Sequence, residues 1–176
     1  MVRLINIADH GVPLWRWARL EGGAGDPWEA GRRSVRDEGQ AVNWKNGTVA
    51  TLGSDVTALM IAYPLDRETP TGEAEHPVFE PLKALKQKAI GCFYIHVLAA
   101  YAEYRGRGLG KVLMERAEGM SGGRDLALIV SDGNQPARRF YDRLGFVERD
   151  RLPIVTTDDW KAEGENWLLL VKTREA

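Results

Sequence analysis

The chain has 176 residues, the length of one domain and enough to bury an apolar core. Its 24 Lys and Arg against 25 Asp and Glu leave a formal charge of −1, which lacks the basic balance of a protein that binds nucleic acid or another polyanion. One cysteine, Cys92, excludes an internal disulfide framework, and no apolar run approaches the roughly 20 residues that span a bilayer. The first ten residues lack the apolar core of a signal peptide, so the expectation is a cytoplasmic protein with one domain over residues 1–176 and with neither nucleic acid nor membrane as a partner.

Taken in chain order, residues 4–7 read as a short first strand. Asp9 is placed to cap a helix over residues 10–20, with Leu14, Trp17 and Ala18 inward. Asp26 followed by Pro27 opens a second helix, a cap and then a proline. Asn46 and Gly47 lie between residues 41–44 and 48–52, a hairpin signal. Residues 56–63 form another strand, and the Pro-rich, acidic residues 64–81 form a surface loop. Leu82, Leu85 and Ala89 mark a short helix before a strongly apolar run over residues 92–101. A glycine-rich link at 105–110 joins that run to a helix with Leu109, Val112, Leu113 and Ala117 on one face. Residues 126–130 form a short strand, and Ser131 to Pro136 make a turn and a helix start. Ala137, Phe140, Tyr141 and Leu144 share the next helix face, which Gly145 ends. Residues 146–149, 152–155 and 167–171 supply the closing strands, and no internal repeat is visible.

The most informative segment is Arg105-Gly106-Arg107-Gly108-Leu109-Gly110. A strand, a tight glycine turn and a helix start make an anion site, because the first helical N–H groups have no internal partners and the helix dipole favours negative charge there. Glycines let the backbone approach a phosphate, and Arg105 and Arg107 add cationic donors. A P-loop would need Ser or Thr where Val112 stands, and the three glycines fall at spacings of two, which breaks the dinucleotide fingerprint. The pattern Arg/Gln-x-x-Gly-x-Gly/Ala fits, through Arg105, Gly108 and Gly110. A second string follows: Asn134, Ala137, Tyr141, Gly145 and Phe146, with seven residues from Asn134 to Tyr141.

Together these strings resemble the two motifs of the GNAT superfamily of N-acetyltransferases, closely over residues 90–147 and elsewhere only in general layout. The resemblance implies an α/β (α+β) fold, with a mixed, mostly antiparallel central sheet flanked by helices and with splayed central strands. It implies acetyl-CoA as cosubstrate, no metal, and a primary amine of a small molecule or peptide as acceptor; a homodimer is left open. Backbone groups of Leu98, Ala99 and Ala100 would hold the pantetheine and polarise the thioester. Arg105, Gly106, Arg107, Gly108, Leu109 and Gly110 would hold the pyrophosphate. Asn134 would bond near the cofactor arm, with a helix cap as its other reading, and Tyr141 would contact the cofactor and be the general acid, with core packing as its other reading.

No base carries over. Some relatives place a glutamate five residues before the motif asparagine, where this chain has Ile129. His96 is the base candidate, since an imidazole with a pKa near about 6.5 suits proton uptake. Glu103 reads as a solvated turn residue and Cys92 as a buried hydrophobe. Trp15, Trp17, Trp28 and Trp44 are core packing or walls of an acceptor pocket. Asp66, Glu68, Glu73, Glu75 and Glu80 would suit a cationic amine. A catalytically inactive, CoA-binding regulatory domain is the alternative function.

Overall fold

The computed structural model describes residues 1–20, 24–70 and 76–174. The chain divides into two compact units, Met1–Tyr63 with Ile95–Met120, and Pro64–Tyr94 with Ser121–Ala176.

The first unit opens with three helices, α1 (Val2–Ala8), α2 (Val12–Trp17) and α3 (Pro27–Arg36). Residues 4–7 are therefore helical rather than a strand. Strand alternation would put adjacent Leu4 and Ile5 on opposite faces, but both are buried while Ile7 is exposed, and α1 packs on α2 and α3. The β preference of isoleucine yields to that packing. Asp9 closes α1, its N–H donating to the Ile5 carbonyl, and does not open α2. His10 and Gly11 take left-handed backbone (φ 51° and 84°), Gly11 is the residue before α2, and the Asn6 side chain accepts from the Leu14 N–H at 2.9 Å. Val12 and Trp17 face inward, whereas Ala18 is exposed. α3 starts as expected, with Asp26 accepting from the Trp28 N–H at 2.9 Å and Pro27 first in the helix.

The hairpin of this unit turns elsewhere than at Asn46. Asn46 ends a 3₁₀ turn (Trp44–Asn46) and donates to the Ala41 carbonyl at 2.8 Å. β1 (Gly47–Leu52) and β2 (Asp55–Pro64) meet at Gly53, whose φ is 60°. The final helix of the unit buries Leu113, Met114 and Ala117 but leaves Val112, expected inward, exposed.

The second unit holds α4 (Glu80–Gln87) and the start of β3 (Phe93–Ala100). α5 (Leu109–Met120) is the final helix of the first unit just described. β4 (Leu126–Ser131), α6 (Gln135–Arg143), β5 (Val147–Pro153) and β6 (Asn166–Lys172) complete the second unit. The two strands expected over 146–155 are one strand, β5, with Arg149 as an extra, bulged residue opposite β6. Leu85 and Ala89 are buried as the spacing required. Glu73 and Glu75 lie outside the described residues.

The strand order is β1-β2-β3-β4-β6-β5. β1–β2, β4–β6 and β6–β5 are antiparallel, and β3–β4 is parallel. That parallel pairing comprises Phe93↔Leu126 and Tyr94↔Ala127, the first two residues of each strand. Among the described residues no helix is long and apolar enough to cross a membrane.

Gly31 of α3 tests the helical packing. Replacing glycine by alanine inside an open helix gains about 0.5–1 kcal/mol. At Gly31 the added Cβ would stand 2.7 Å from Cε3 of the buried Trp17 ring. Gly31→Ala is therefore expected to reverse the sign and cost about 1–3 kcal/mol, read as a lowered Tm.

Candidate active site

In the first unit the expected anion loop is built as its sequence demands. After β3 the chain makes a 3₁₀ turn (Ala102–Tyr104), and Arg105 Nε donates back to the Ala100 carbonyl at 3.4 Å. Gly106 and Gly108 both take left-handed backbone, φ 74° and 79°, which a side chain would strain. A Cβ at either would meet nothing within 4 Å, so open space lies beside the loop. The first helical bond of α5 runs from the Val112 N–H to the Gly108 carbonyl. The N–H groups of Leu109, Gly110 and Lys111 thus precede the hydrogen-bonded ladder, at the positive end of the helix dipole. Arg105 and Arg107 are exposed beside them, and the Arg107 guanidinium lies 5.5 Å from the Tyr104 ring centre. This arrangement can hold a diphosphate.

Leu98, Ala99 and Ala100 are half-buried at the C-terminal end of β3. On the same strand, His96 Nδ1 lies 2.7 Å from the hydroxyl of Tyr63, which is buried on β2. If Nδ1 carries the proton, the Tyr63 oxygen accepts it and Nε2 is the acceptor nitrogen, the form a base needs. If Nδ1 is bare, Tyr63 donates and Nε2 carries the proton. Tyr63 escapes a sequence reading because its link to His96 spans 33 residues.

In the second unit Asn134 is the cap of α6, its Oδ1 accepting from the Ala137 N–H at 3.2 Å. Tyr141 lies seven residues on, about two helical turns, and so near the same face. It is 7% exposed, its ring edge-on to Phe140 and Phe146 with centroids 5.3 and 5.6 Å away. Both residues thus do the structural work of their plainer readings, and those contacts aim them.

What aims α6 itself was not legible. The turn after β4 is bound to the chain before β6, more than 30 residues later. Asp132 accepts from the Glu165 N–H at 2.8 Å and from the Asn166 side chain at 2.9 Å, and its own N–H donates to the Asn166 carbonyl. The Ser131 hydroxyl donates to the Glu163 carbonyl. The Asp132 carbonyl accepts from Gln135 and Arg138 at the start of α6. Partial desolvation pushes the Asp132 carboxyl up, but the hydrogen bonds from Asn166 and Glu165, with the charge of Arg138, outweigh it and hold the carboxyl below its ordinary value.

The other candidates separate. Burial and the nearby Asp125 push the Cys92 thiol up, against the direction a nucleophile needs. Asp66 is committed to Arg124 at 2.6 Å, and Glu80 stands in the first turn of α4. Trp17 and Trp28 pack together at 6.3 Å, Trp15 lies under the Arg19 guanidinium, and Trp44 is exposed. Among the described residues no group of three or more His, Cys, Asp or Glu gathers as metal ligands.

Comparison with known proteins adds a family. The sequence model of the Acetyltransferase (GNAT) family matches residues 37–146, more than half of the chain. A 53-residue stretch is 42% identical to the 5-NmdU N-acetyltransferase of Pseudomonas phage PaMx11; it covers 30% of this chain and 38% of that relative's length. The fold is similar to an N-acetyltransferase from Staphylococcus aureus Mu50, with a TM-score of 0.62, 17% identity and 95% of each chain covered. It is also similar to a GNAT family acetyltransferase from Elizabethkingia anophelis with acetyl-CoA bound, with a TM-score of 0.52 and 15% identity over 74% of this chain and 78% of that one.

Asp132→Ala would leave the Glu165 N–H and the Asn166 amide without their acceptor, a cost of about 1–3 kcal/mol. Because the folded carboxyl is held below its ordinary value, its contribution is present above that value, about 3.9, and is lost as the pH falls below it. The wild type should therefore lose more Tm than Asp132→Ala between neutral pH and the acid side of that value, as measured by thermal melts.

Proposed function

Because the chain belongs to the GNAT acetyltransferase family, we propose that it moves an acetyl group directly from acetyl-CoA to a primary amine of a small molecule or peptide. The observation that carries this reading is the loop from Arg105 to Gly110, where two left-handed glycines, two exposed guanidiniums and the open start of α5 fit a diphosphate. The family match runs without a break through residues of both units, which supports one catalytic domain over residues 1–176. The single cysteine supports a cytoplasmic location.

The chemistry assigns the remaining roles. An alkylammonium has a pKa of about 10.4, so the acceptor must lose a proton before its nitrogen attacks. His96, positioned by Tyr63, is the base candidate. Backbone N–H groups at Leu98, Ala99 and Ala100 would stabilise the oxyanion as the C–N bond forms. When the C–S bond breaks, the CoA thiolate needs a proton, which the Tyr141 phenol would give. Asn134 keeps its NH₂ for the cofactor arm, since the cap occupies its oxygen. Asp66 is paired with Arg124 and Glu80 stands in the first turn of α4, which leaves exposed Glu68 as the support for a cationic acceptor in the described part of that segment. The phage relative's acceptor is not carried over, because the matched stretch is less than a third of this chain.

Gly108→Asp would strain the left-handed backbone and place a carboxylate where the pyrophosphate would sit. It should abolish acetyl-CoA binding by calorimetry while the far-UV spectrum stays unchanged. Unchanged affinity would remove the basis of the assignment.

Tyr141→Phe separates catalysis from packing, because phenylalanine keeps both edge-on ring contacts. General acid catalysis contributes about 10²–10⁴-fold, and a thiolate is a fair leaving group, so kcat should drop by about 10²-fold with little change in acetyl-CoA affinity. The measurement is CoA thiol release with a panel of amines. Near-normal kcat in the variant would leave Tyr141 as architecture, and CoA binding without turnover in the wild type would favour the regulatory domain.

A further inference from the structure

The two edges of the sheet are treated differently. β5, at one end of the strand order, carries Glu148, Arg149, Asp150 and Arg151 among its seven residues and ends in Pro153. Its pairing also shifts at Arg149, the bulged residue, so the bulge is on the edge strand itself. Charge, proline and bulges are the devices by which proteins keep an edge from pairing with another chain.

β1, at the other end, has none of them. Its sequence is Gly-Thr-Val-Ala-Thr-Leu, and residues 46–54 carry no charge over nine positions. The irregularity in the β1–β2 pair falls on the inner strand: Ala50 faces Ala58 and Thr51 faces Val56, so Thr57 of β2 is the extra residue and β1 stays regular. The Thr57 hydroxyl donates to the Ala50 carbonyl at 3.0 Å, so the Ala50 carbonyl points inward. Backbone direction alternates along a strand, so the N–H and C=O groups of Val49 and Thr51 point to the open side. Val49 (45% exposed), Leu52 and Val56 are exposed around this edge, and Trp44 is exposed just before it.

We infer that β1 pairs antiparallel with β1 of a second copy, about a two-fold axis at Ala50. The strand suits itself. In that register Val49 of one copy faces Thr51 of the other, no like charges meet, and the Lys45 end of one strand lies beside the Asp55 end of its partner. Lys45 is also shared with Glu38 in a surface ion pair and remains half exposed. A stable dimer buries about 1,600 Å² in total, more than a six-residue ribbon supplies, and Trp44, Val49, Leu52 and Val56 provide apolar area around it. A two-fold contact of this kind closes on itself and leaves β5, the blunted edge, to solvent.

The experiment is sedimentation velocity with the full chain, together with thermal melts. The wild type should run at twice the 19.6 kDa chain mass at micromolar concentration. Val49→Lys puts a charge on the pairing edge and should halve the mass while still melting cooperatively, with a Tm that no longer rises with protein concentration as that of the wild type should, whereas Val147→Lys, on β5, should keep the doubled mass. If Val49→Lys does not fold, Ala50→Cys decides. Facing residues at a non-hydrogen-bonded antiparallel position have Cα atoms about 4.5 Å apart, within disulfide range, so air oxidation should give a covalent dimer. A wild type at the mass of one chain, a dimer that survives Val49→Lys, loss of the dimer in Val147→Lys, or no covalent dimer in oxidised Ala50→Cys would each overturn the inference. So would a monomer that instead captures an extended β-forming peptide at this edge.

Discussion

The hydrogen bonds of the turn after β4 are the constraint on which the second unit depends. Asp132 and Ser131 together bind the backbone at Glu163, Glu165 and Asn166, while the Asp132 carbonyl receives two side chains from the first turns of α6. One turn therefore sets where β6 begins and which way α6 leaves β4. It tolerates no added bulk. A Cβ at Gly133 would stand 2.5 Å from the Glu163 carbonyl carbon, and one at Gly164, whose φ is 103°, would stand 2.5 Å from the Gly133 nitrogen and press on the Asp132 carboxylate and the Ser131 hydroxyl. The loop and the turn approach each other as bare main chain, a distance that only glycine allows. Asn134 and Pro136 start α6 locally, and the direction in which α6 leaves, with the aim of Asn134 and Tyr141, follows from that contact, because propensity makes a helix but does not orient it.

In the first unit the corresponding constraint is conformational. Gly106 and Gly108 hold left-handed backbone with nothing beside their Cα atoms, so the glycines are there for the path of the chain and not for internal packing. A left-handed residue with a side chain costs roughly 1–2 kcal/mol, and two in three positions would be a large fraction of a marginal stability. The path they allow turns the chain from β3 into α5 so that the first N–H groups of the helix face outward beside Arg105 and Arg107. Structure and charge agree there: the segment is locally unfavourable for any other sequence and electrostatically suited to an anion.

What was legible in the sequence was what contiguous residues encode. The cap at Asp26 with Pro27, the loop from Arg105 to Gly110 and the string from Asn134 to Gly145 each carry their geometry in local backbone preferences, and the structure forms each where expected. The failures share another cause. Residues 4–7 hold two isoleucines and a leucine, equally suited to a strand, and only the helices packed on them decide. Asn46 with Gly47 has the composition of a hairpin turn, yet Asn46 spends its amide on Ala41 and the turn moves to Gly53. Val112 keeps helical spacing with Leu109 but falls on the outer side of α5. The Tyr63–His96 and Asp132–Asn166 contacts join residues more than 30 apart, and no spacing rule anticipates such pairs.

The two readings of Asn134, helix cap and cofactor ligand, are not rivals, because a carboxamide has two ends. The cap needs only an acceptor, and Oδ1 provides it to the Ala137 N–H. Aspartate would cap at least as well, since the two residues rank alike at that position and a negative charge favours the helix N-terminus. Stability alone therefore gives asparagine no advantage here. What asparagine adds is an NH₂ group, two donors without charge, on a helix start held in place by the Asp132 turn. A neutral donor beside the start of α6 is of use to a ligand that carries carbonyl groups, and the amide carbonyls of a pantetheine arm are such groups. An aspartate there would repel them with its own oxygens. The capping bond and the proposed ligand bond thus draw on opposite ends of one side chain, and the first orients the second.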